Sequence, residues 1–190
     1  MEFGFIFDMD GVVINSNPYH KIAWESFLQN HGIQVDDLYF EQVLSGRTGP
    51  ASLRIIFGQD LPPALLEKYL LEVDQAYQDV LRQSEGNLAI AGIYEFLEAI
   101  RERDHRLALA TSAPPLNIEL GLEKLHLEGV FEVIVGKVDV REGKPHPEVY
   151  LTTLKRLGLP KSRCLIFEDS KAGIQSALQA GVAVVGIASA

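Results

Sequence analysis

The chain has 190 residues, of which 47% are hydrophobic and 23% are charged, as in ordinary globular proteins. Its formal net charge of −9 argues against binding driven by attraction to nucleic-acid phosphates or to anionic lipid. The single cysteine, Cys164, excludes an internal disulfide and a cysteine zinc cluster. No apolar run in the sequence is long enough to cross a bilayer, so we expect a cytoplasmic protein, with a monomer as the default.

The first predicted element is a buried β-strand that ends in two aspartates. Residues 3–7 are apolar and aromatic, as in strands that are covered on both faces. Asp8 and Asp10 follow, and Gly11 permits a sharp turn. Ligands of open α/β sheets bind beyond the carboxyl ends of strands, so both aspartates are candidate site residues. Two carboxylates at such a short distance from each other usually require a cation or a shared proton. The plain alternative is a strand that simply ends in an Asp-Gly turn.

The segment that follows is predicted to be helical. Over residues 18–31, apolar side chains, Ile22 among them, recur at helical spacing, and Asn17 is the predicted N-cap. Residues 63–82 show the same periodicity over a longer stretch. No strand pattern interrupts residues 16–83, which we therefore predict to form a small helical domain inserted after the first strand.

The rest of the chain, 1–15 with 84–190, is predicted to form the main domain, because helical and strand patterns alternate along it. The predicted strands are 106–110, 131–135, 164–167 and 182–187, and the predicted helices are 93–103, 116–125, 147–157 and 172–180. This alternation is typical of right-handed crossovers and a parallel sheet. The predicted fold class is therefore α/β, a Rossmann-like three-layer core with an inserted helical domain.

Polar side chains stand where the predicted strands end or in the loops beyond them: Asp8 and Asp10, Thr111 and Ser112, Lys144, and Glu168 and Asp169. Mg²⁺ is usually held by a few carboxylates, and a hydroxyl and an ammonium can hold phosphoryl oxygens. The set therefore suits phosphoryl transfer. The sequence has neither a His/Cys cluster nor a glycine-rich loop ending in Gly-Lys-Ser or Gly-Lys-Thr, which argues against a zinc site and a P-loop.

In this order, the motifs resemble the four signature motifs of the haloacid dehalogenase superfamily. The inserted helical domain resembles that superfamily's α-helical cap, and the resemblance covers nearly the whole chain. Within the superfamily, the chain looks most like the β-phosphoglucomutase and sugar-phosphate phosphatase branch. Tyr19-His20 with Trp24, and Ala-Gly-Ile-Gln at 172–175, add to this likeness.

The resemblance implies a role for each acidic residue. Asp8 is expected to be the nucleophile that forms an aspartyl-phosphate, and Asp10 the general acid and then the general base. Mg²⁺ is expected to be held by the Asp8 carboxylate, the Asp10 main-chain carbonyl and Asp169. Glu168 is expected either to bind the metal directly or to orient its water.

The resemblance also implies the groups that bind substrate. Thr111, Ser112 and Lys144 are expected to hold the phosphoryl group, and His20 and Arg47 are candidate substrate contacts from the cap. Each has a plain alternative. Thr111 with Ser112 can be a helix cap, Lys144 a solvated loop residue, His20 a residue satisfied within the cap, and Arg47 a surface arginine.

The expected reaction is the hydrolysis of a small phosphomonoester, a sugar phosphate in class. The first alternative is a phosphotransferase of the β-phosphoglucomutase type, whose cap loop resembles a Lys-Gly…Ser-Arg pattern. Ser45 and Gly49 stand here where that lysine and arginine would be, and Arg47 is two positions from the second. The second alternative is a non-catalytic protein that binds a phosphorylated metabolite.

Overall fold

A computed structural model describes residues 1–40, 44 and 47–188 of the chain. Contacts divide the chain into two compact units. Met1–Ser16 with Gly86–Ala190 form one, called here the sheet unit, and Asn17–Glu85 form the other, called the helical unit. Within the part of the chain that is described, no helix is both long and apolar enough to span a membrane.

The sheet unit is built on five parallel strands in the order β3-β2-β1-β4-β5. The strands are β1 (Gly4–Phe7), β2 (Arg106–Ala110), β3 (Val133–Val135), β4 (Cys164–Glu168) and β5 (Ala183–Gly186). Four helices alternate with them: α5 (Ile93–Arg101), α6 (Pro115–Lys124), α7 (Glu148–Leu157) and α8 (Lys171–Ala180). The predicted α/β fold with a parallel sheet is confirmed.

Helices cover both faces of this sheet. On one face, Phe96 of α5 packs edge-on against Phe7 and Phe167, whose rings stack with their centroids 4.7 Å apart. On the other face, Ile6 belongs to a buried cluster that includes Tyr150 of α7. Successive residues of a strand point to opposite faces, so β1 is covered on both sides and needs no polar residue.

The helical unit has its own core. Its helices are α1 (Asn17–Asn30), α2 (Asp37–Tyr39), α3 (Gly49–Phe57) and α4 (Pro63–Gln83). Phe27 and Leu28 of α1 pack with Leu53 of α3 and Val73 of α4 in one buried cluster. These side chains recur at helical spacing, which is the pattern that predicted the helices.

Several element boundaries differ from the predictions. Helix α1 begins at Asn17, so Asn17 is not a cap outside the helix, and Ile22 is 48% exposed rather than part of the buried face. Strand β3 starts at Val133, two residues later than predicted, and α7 starts at Glu148. Periodicity identifies an element more reliably than its ends, where a few hydrogen bonds decide the assignment.

Candidate active site

The carboxyl end of β1 places Asp8 between two neighbouring strands. Phe7 pairs with Leu109 of β2 and with Phe167 of β4, so Asp8 lies beside the ends of both strands. The main-chain N–H of Asp8 donates to the carbonyl oxygen of Phe167 at 3.0 Å, which continues the ladder by one residue. Asp8 is only 8% exposed. A carboxylate withdrawn from water to this degree needs charged or hydrogen-bonding partners.

Lys144 is the charged partner of Asp8. Its Nζ donates to Oδ1 of Asp8 at 2.8 Å, to Oε1 of Glu168 at 2.5 Å and to the main-chain oxygen of Ala110 at 3.3 Å. These three acceptors match the three hydrogens of an ammonium group. Burial alone would lower the pKa of Lys144, but the carboxylates of Asp8 and Glu168 outweigh it and raise that pKa. Lys144 therefore stays charged at neutral pH.

Burial is the largest influence on Asp8 and raises its pKa from 3.8 to about 7. The charge of Lys144 opposes this rise, whereas the carboxylates of Glu168 and Asp10 add to it. The edge of the sheet thus carries more negative charge than Lys144 balances. Further positive charge bound here would lower the pKa of Asp8 and favour its ionised form.

The turn after Asp8 holds Asp10. Three N–H groups of this turn donate to the carbonyl oxygen of Met9, and Gly11 has a φ of 73°. That left-handed conformation suits glycine and lets the chain fold back sharply. The hydroxyl of Ser16 donates to Oδ1 of Asp10 at 2.6 Å. Asp10 is half-buried, so one of its carboxylate oxygens is fixed while the residue keeps access to solvent.

Glu168, the last residue of β4, is fully buried and accepts four hydrogen bonds. Its Oε1 accepts from Lys144 and, at 2.9 Å, from the hydroxyl of Tyr150. Its Oε2 accepts from the N–H of Ser170 at 2.9 Å and from the Ser170 hydroxyl at 3.0 Å. Burial would raise the pKa of Glu168, but Lys144 and these hydrogen bonds together lower it. Glu168 is therefore a fixed negative charge.

Helix α8 begins directly against this carboxylate. Ser170 caps the helix, because its hydroxyl oxygen accepts from the N–H of Gly173 at 3.0 Å. A Cβ atom placed on Gly173 would overlap the carboxylate of Glu168. The absence of a side chain at position 173 is thus a condition for the close approach of α8 to Glu168.

The acidic residues at this edge fit a hard divalent cation. Carboxylate oxygens of Asp8, Glu168 and Asp169 all lie within 4.8 Å of one another. Mg²⁺ takes oxygen ligands at about 2.0–2.1 Å, so such a group spans roughly one coordination sphere. A carboxylate offers about four lone-pair sites, and four donors already engage Glu168. Asp8 and Asp169 are therefore the better-placed carboxylates to hold the ion, and Glu168 is better placed to orient its surroundings.

Thr111 and Ser112 follow β2, as predicted, but one is buried and the other is exposed. Thr111 is buried, and its Oγ1 accepts from the N–H of Ala113 at 3.1 Å. This hydrogen bond is the kind expected if Thr111 serves as a cap. A hydroxyl that accepts one hydrogen bond still has its own hydrogen to donate, for example to a phosphoryl oxygen. Ser112 is exposed. The structure thus leaves phosphate binding by these two residues as a prediction.

His20 and Arg47 both lie in the helical unit. The ring of His20 stacks on that of the buried Tyr77, with centroids 4.0 Å apart and an angle of 7° between the planes. Arg47 is exposed, and its main-chain N–H donates to the carbonyl oxygen of Leu44 at 3.2 Å. Ser45, which stands where the β-phosphoglucomutase pattern has a lysine, lies outside the described residues. Substrate roles for His20 and Arg47 remain predictions.

Two residues that contact or adjoin Glu168, namely Tyr150 and Gly173, were not identified as site residues from the sequence. Tyr150 lies within the apolar face of α7, where periodicity does not distinguish a tyrosine with a bonded hydroxyl from a core phenylalanine. Gly173 belongs to the segment 172–175, which contributed only to the family resemblance. A helical glycine three residues after the N-cap Ser170 was the available signal, because glycine weakens a helix and therefore needs a compensating reason.

Comparisons with known proteins agree with this fold. The family model described as haloacid dehalogenase-like hydrolase matches residues 5–187. A phosphorylated carbohydrates phosphatase of Thermotoga maritima is 30% identical over 180 residues, covering 93% of this chain and 81% of that protein. A fructose-1-phosphate phosphatase of Escherichia coli K12 is 29% identical over 190 residues, covering 97% of this chain and 95% of that protein.

Solved structures show the same fold. A family IA hydrolase of Entamoeba histolytica has a TM-score of 0.90 at 32% identity, covering 100% of this chain and 85% of that one. A β-phosphoglucomutase of Clostridium difficile has a TM-score of 0.83 at 27% identity, covering 98% of this chain and 84% of that one. The α/β fold with its acidic edge is that of an enzyme. The chain belongs to the haloacid dehalogenase-like hydrolase family, which confirms the resemblance found in its motifs.

Proposed function

We propose that this enzyme is a Mg²⁺-dependent phosphatase that hydrolyses a small phosphomonoester, a sugar phosphate in class. One observation carries the proposal: the Asp8 carboxylate contacts Lys144 and shares its edge of the sheet with Glu168 and Asp169. The names of the two phosphatase relatives support a phosphorylated carbohydrate as the substrate. A cytoplasmic location and a monomeric state remain predictions.

In the first half of the proposed reaction, a carboxylate oxygen of Asp8 attacks phosphorus. The bond from phosphorus to the sugar oxygen breaks, and an aspartyl-phosphate forms on Asp8. Asp10 gives its proton to the leaving oxygen. The hydrogen bond from the Ser16 hydroxyl to Oδ1 of Asp10 orients this carboxyl group for the transfer.

In the second half, water attacks the phosphorus of the aspartyl-phosphate. Asp10, now ionised, takes a proton from that water, and the bond between phosphorus and the Asp8 oxygen breaks. Inorganic phosphate leaves, Asp8 is again a carboxylate, and Asp10 is again protonated. The products are one alcohol and one phosphate for each water consumed, so the cycle balances.

The residues around Asp8 supply the charge that the phosphoryl group needs. The Lys144 ammonium balances phosphoryl oxygens, and Thr111 and Ser112 donate hydrogen bonds to them. Asp8 and Asp169, with the Asp10 main-chain carbonyl, would hold Mg²⁺. When bound, this ion supplies positive charge that aligns the phosphoryl group and offsets the negative charge of the edge.

The test is phosphate release from a panel of sugar phosphates and other small phosphomonoesters, with Mg²⁺ or with EDTA. The wild type is compared with Asp8→Asn and with Asp104→Asn. Asp104 is an exposed carboxylate outside the site, and asparagine tolerates its positive φ of 53°. Release should require Mg²⁺, persist in Asp104→Asn and be lost in Asp8→Asn.

Two other outcomes would redirect the proposal. Conversion of β-glucose 1-phosphate in the presence of a bisphosphate activator, without net phosphate release, would favour the mutase that the C. difficile neighbour exemplifies. In that case Arg47→Ala should abolish turnover of the bisphosphate. No turnover of any substrate, with binding retained, would favour the non-catalytic alternative.

A further inference from the structure

Tyr150 connects the core of the sheet unit to the charged groups at its edge. The residue is fully buried on α7, within the cluster that includes Ile6 and Ile166. Its hydroxyl donates to Oε1 of Glu168 at 2.9 Å. The centre of its ring lies 5.1 Å from Nζ of Lys144, within the range of a cation–π interaction. One side chain thus contacts both partners of the buried ion pair.

The hydroxyl of Tyr150 competes with Lys144 for a single oxygen. Both groups donate to Oε1 of Glu168, and Lys144 also donates to Asp8. The ammonium is therefore shared between two carboxylates, at 2.5 Å from Glu168 and 2.8 Å from Asp8. The hydroxyl takes one of the lone-pair sites of Oε1, so the Lys144 ammonium shares that oxygen and reaches Asp8 as well.

We infer that Tyr150 is a positioning residue, whose hydroxyl and ring hold the Lys144 ammonium between Glu168 and Asp8, where the phosphoryl group binds. The inference rests on the proposed phosphatase function and adds to it a residue that does not touch the substrate. A lysine has a long flexible side chain, so its usefulness at a site depends on the groups that fix its end. Tyr150 is a buried group within reach of that end, with its ring centroid 5.1 Å from Nζ.

Tyr150→Phe separates the two contacts, since it removes the hydroxyl and keeps the ring. Without the hydroxyl, the Lys144 ammonium should move toward Glu168 and away from Asp8. We expect kcat to fall about tenfold, which corresponds to losing one hydrogen bond to a charged group. KM should change less, since the Lys144 charge matters most as charge builds up in the transition state.

Tyr94→Phe is the matched control. Tyr94 also lies in the sheet unit and donates through its hydroxyl, but to the carbonyl oxygen of Leu125 at 3.1 Å. The Tyr94→Phe change therefore removes a tyrosine hydroxyl that makes one hydrogen bond, to an uncharged partner. We expect wild-type kinetics, whereas equal losses in both variants would indicate a general effect on stability and would overturn the inference.

A binding measurement tests the same idea without turnover. Inorganic phosphate is titrated by calorimetry into each protein with Mg²⁺ present. Tyr150→Phe should bind phosphate about threefold more weakly than the wild type, and Tyr94→Phe as tightly. In a Lys144→Met background the effect of Tyr150→Phe should vanish, because Tyr150 acts through Lys144. An undiminished effect in that background would contradict the inference.

Crystal structures of the wild type and Tyr150→Phe keep this inference separable from the proposed function. We expect the distance from Nζ of Lys144 to Oδ1 of Asp8 to lengthen beyond hydrogen-bond range in Tyr150→Phe. An unchanged distance would refute the positioning role even if the enzyme is a phosphatase. A wild type that releases no phosphate would refute the proposed function, while a lengthened distance would still support the placement of Lys144 by Tyr150.

Discussion

Gly173→Ala should be among the most damaging single-atom additions to the sheet unit. The new Cβ would overlap the carboxylate of Glu168, which is fully buried and accepts four hydrogen bonds. Because Glu168 has no free direction in which to move, either α8 shifts or the carboxylate leaves its donors. A shift of α8 removes the two donors that Ser170 gives to Glu168, and a movement of the carboxylate also removes its contact with Lys144, which then loses its fixed position beside Asp8.

The size of the effect follows from three opposing contributions. Alanine stabilises a helix by about 1 kcal/mol relative to glycine. Overpacking a rigid site costs about 1–3 kcal/mol. The loss of one or two hydrogen bonds to a charged acceptor costs about 1.5–3 kcal/mol each. The steric and electrostatic costs exceed the gain in helix propensity. With one hydrogen bond lost, we expect a net destabilisation of about 1.5–5 kcal/mol and a loss of activity of about 100-fold or more.

Urea unfolding of the metal-free protein, followed by circular dichroism, measures the first effect, and Mg²⁺-dependent phosphate release measures the second. Gly121→Ala in α6 is the matched control. A Cβ there would meet the Cε atom of Met9 at 3.3 Å, and the end of a methionine adapts easily. We expect its free energy of unfolding to stay within about 1 kcal/mol of the wild type.

The contradicting result is a Gly173→Ala variant that unfolds at the wild-type urea concentration and keeps the wild-type kcat. That result would mean that Glu168 moves aside without cost, so that neither its four donors nor its hold on Lys144 matters. A loss of stability equal to that of Gly121→Ala would point instead to a general intolerance of glycine substitution in these helices.

Two further predictions concern the dependence of stability on pH. The pKa of Asp8 is about 7 in the folded protein, above its ordinary value of 3.8, so its ionised form destabilises the metal-free fold increasingly as the pH rises between these values. Asp8→Asn should therefore raise the urea midpoint of the metal-free protein more at pH 8 than at pH 5, and an equal change at both would argue against this account. The pKa of Asp139 is lowered by a hydrogen bond from the N–H of Gly136 and by Arg156. Its contribution to stability should be present above the unfolded pKa and lost as the pH falls through the folded one. Asp139→Asn is expected to cost up to about 1 kcal/mol at pH 7 and less near pH 3, measured by urea unfolding, and a larger cost at the lower pH would contradict the expected sign.

The sequence was sufficient to predict the parallel sheet and the polar residues at its carboxyl edge. Buried strands leave an unbroken apolar run, as in residues 3–7, and the polar residue after each run falls at the same edge of a parallel sheet. This pattern placed Asp8 and Glu168 at one edge of the sheet, and the structure adds that β1 and β4 are neighbouring strands with the two carboxylates close together. Lys144 was a candidate from its place in a loop, but its role came from the family resemblance, because the pattern of a loop does not indicate where a side chain ends.

Other features depend on atoms that a pattern does not specify. Ile22 fits the periodicity of α1 and is nevertheless 48% exposed, because a helix has more apolar positions than its neighbours cover. Tyr150 fits the periodicity of α7, yet its hydroxyl is what matters. Periodicity indicates which face of an element is covered, and only the three-dimensional structure shows which polar group lies beneath that face.

The order of the strands has a consequence for how the protein is made. Strand β1 is synthesised first but lies in the middle of the sheet, where residue 7 pairs with residues 109 and 167. A nascent chain therefore carries an apolar strand with at least one unpaired edge until residue 167 has been translated, and such an edge can associate with other chains or be bound by chaperones. Asp8 meets Lys144 and Glu168 only after both have been translated. If Asp8 is the nucleophile, as proposed, an incomplete chain is expected to be inert as a catalyst, because Asp8 does not yet have the Lys144 ammonium beside it.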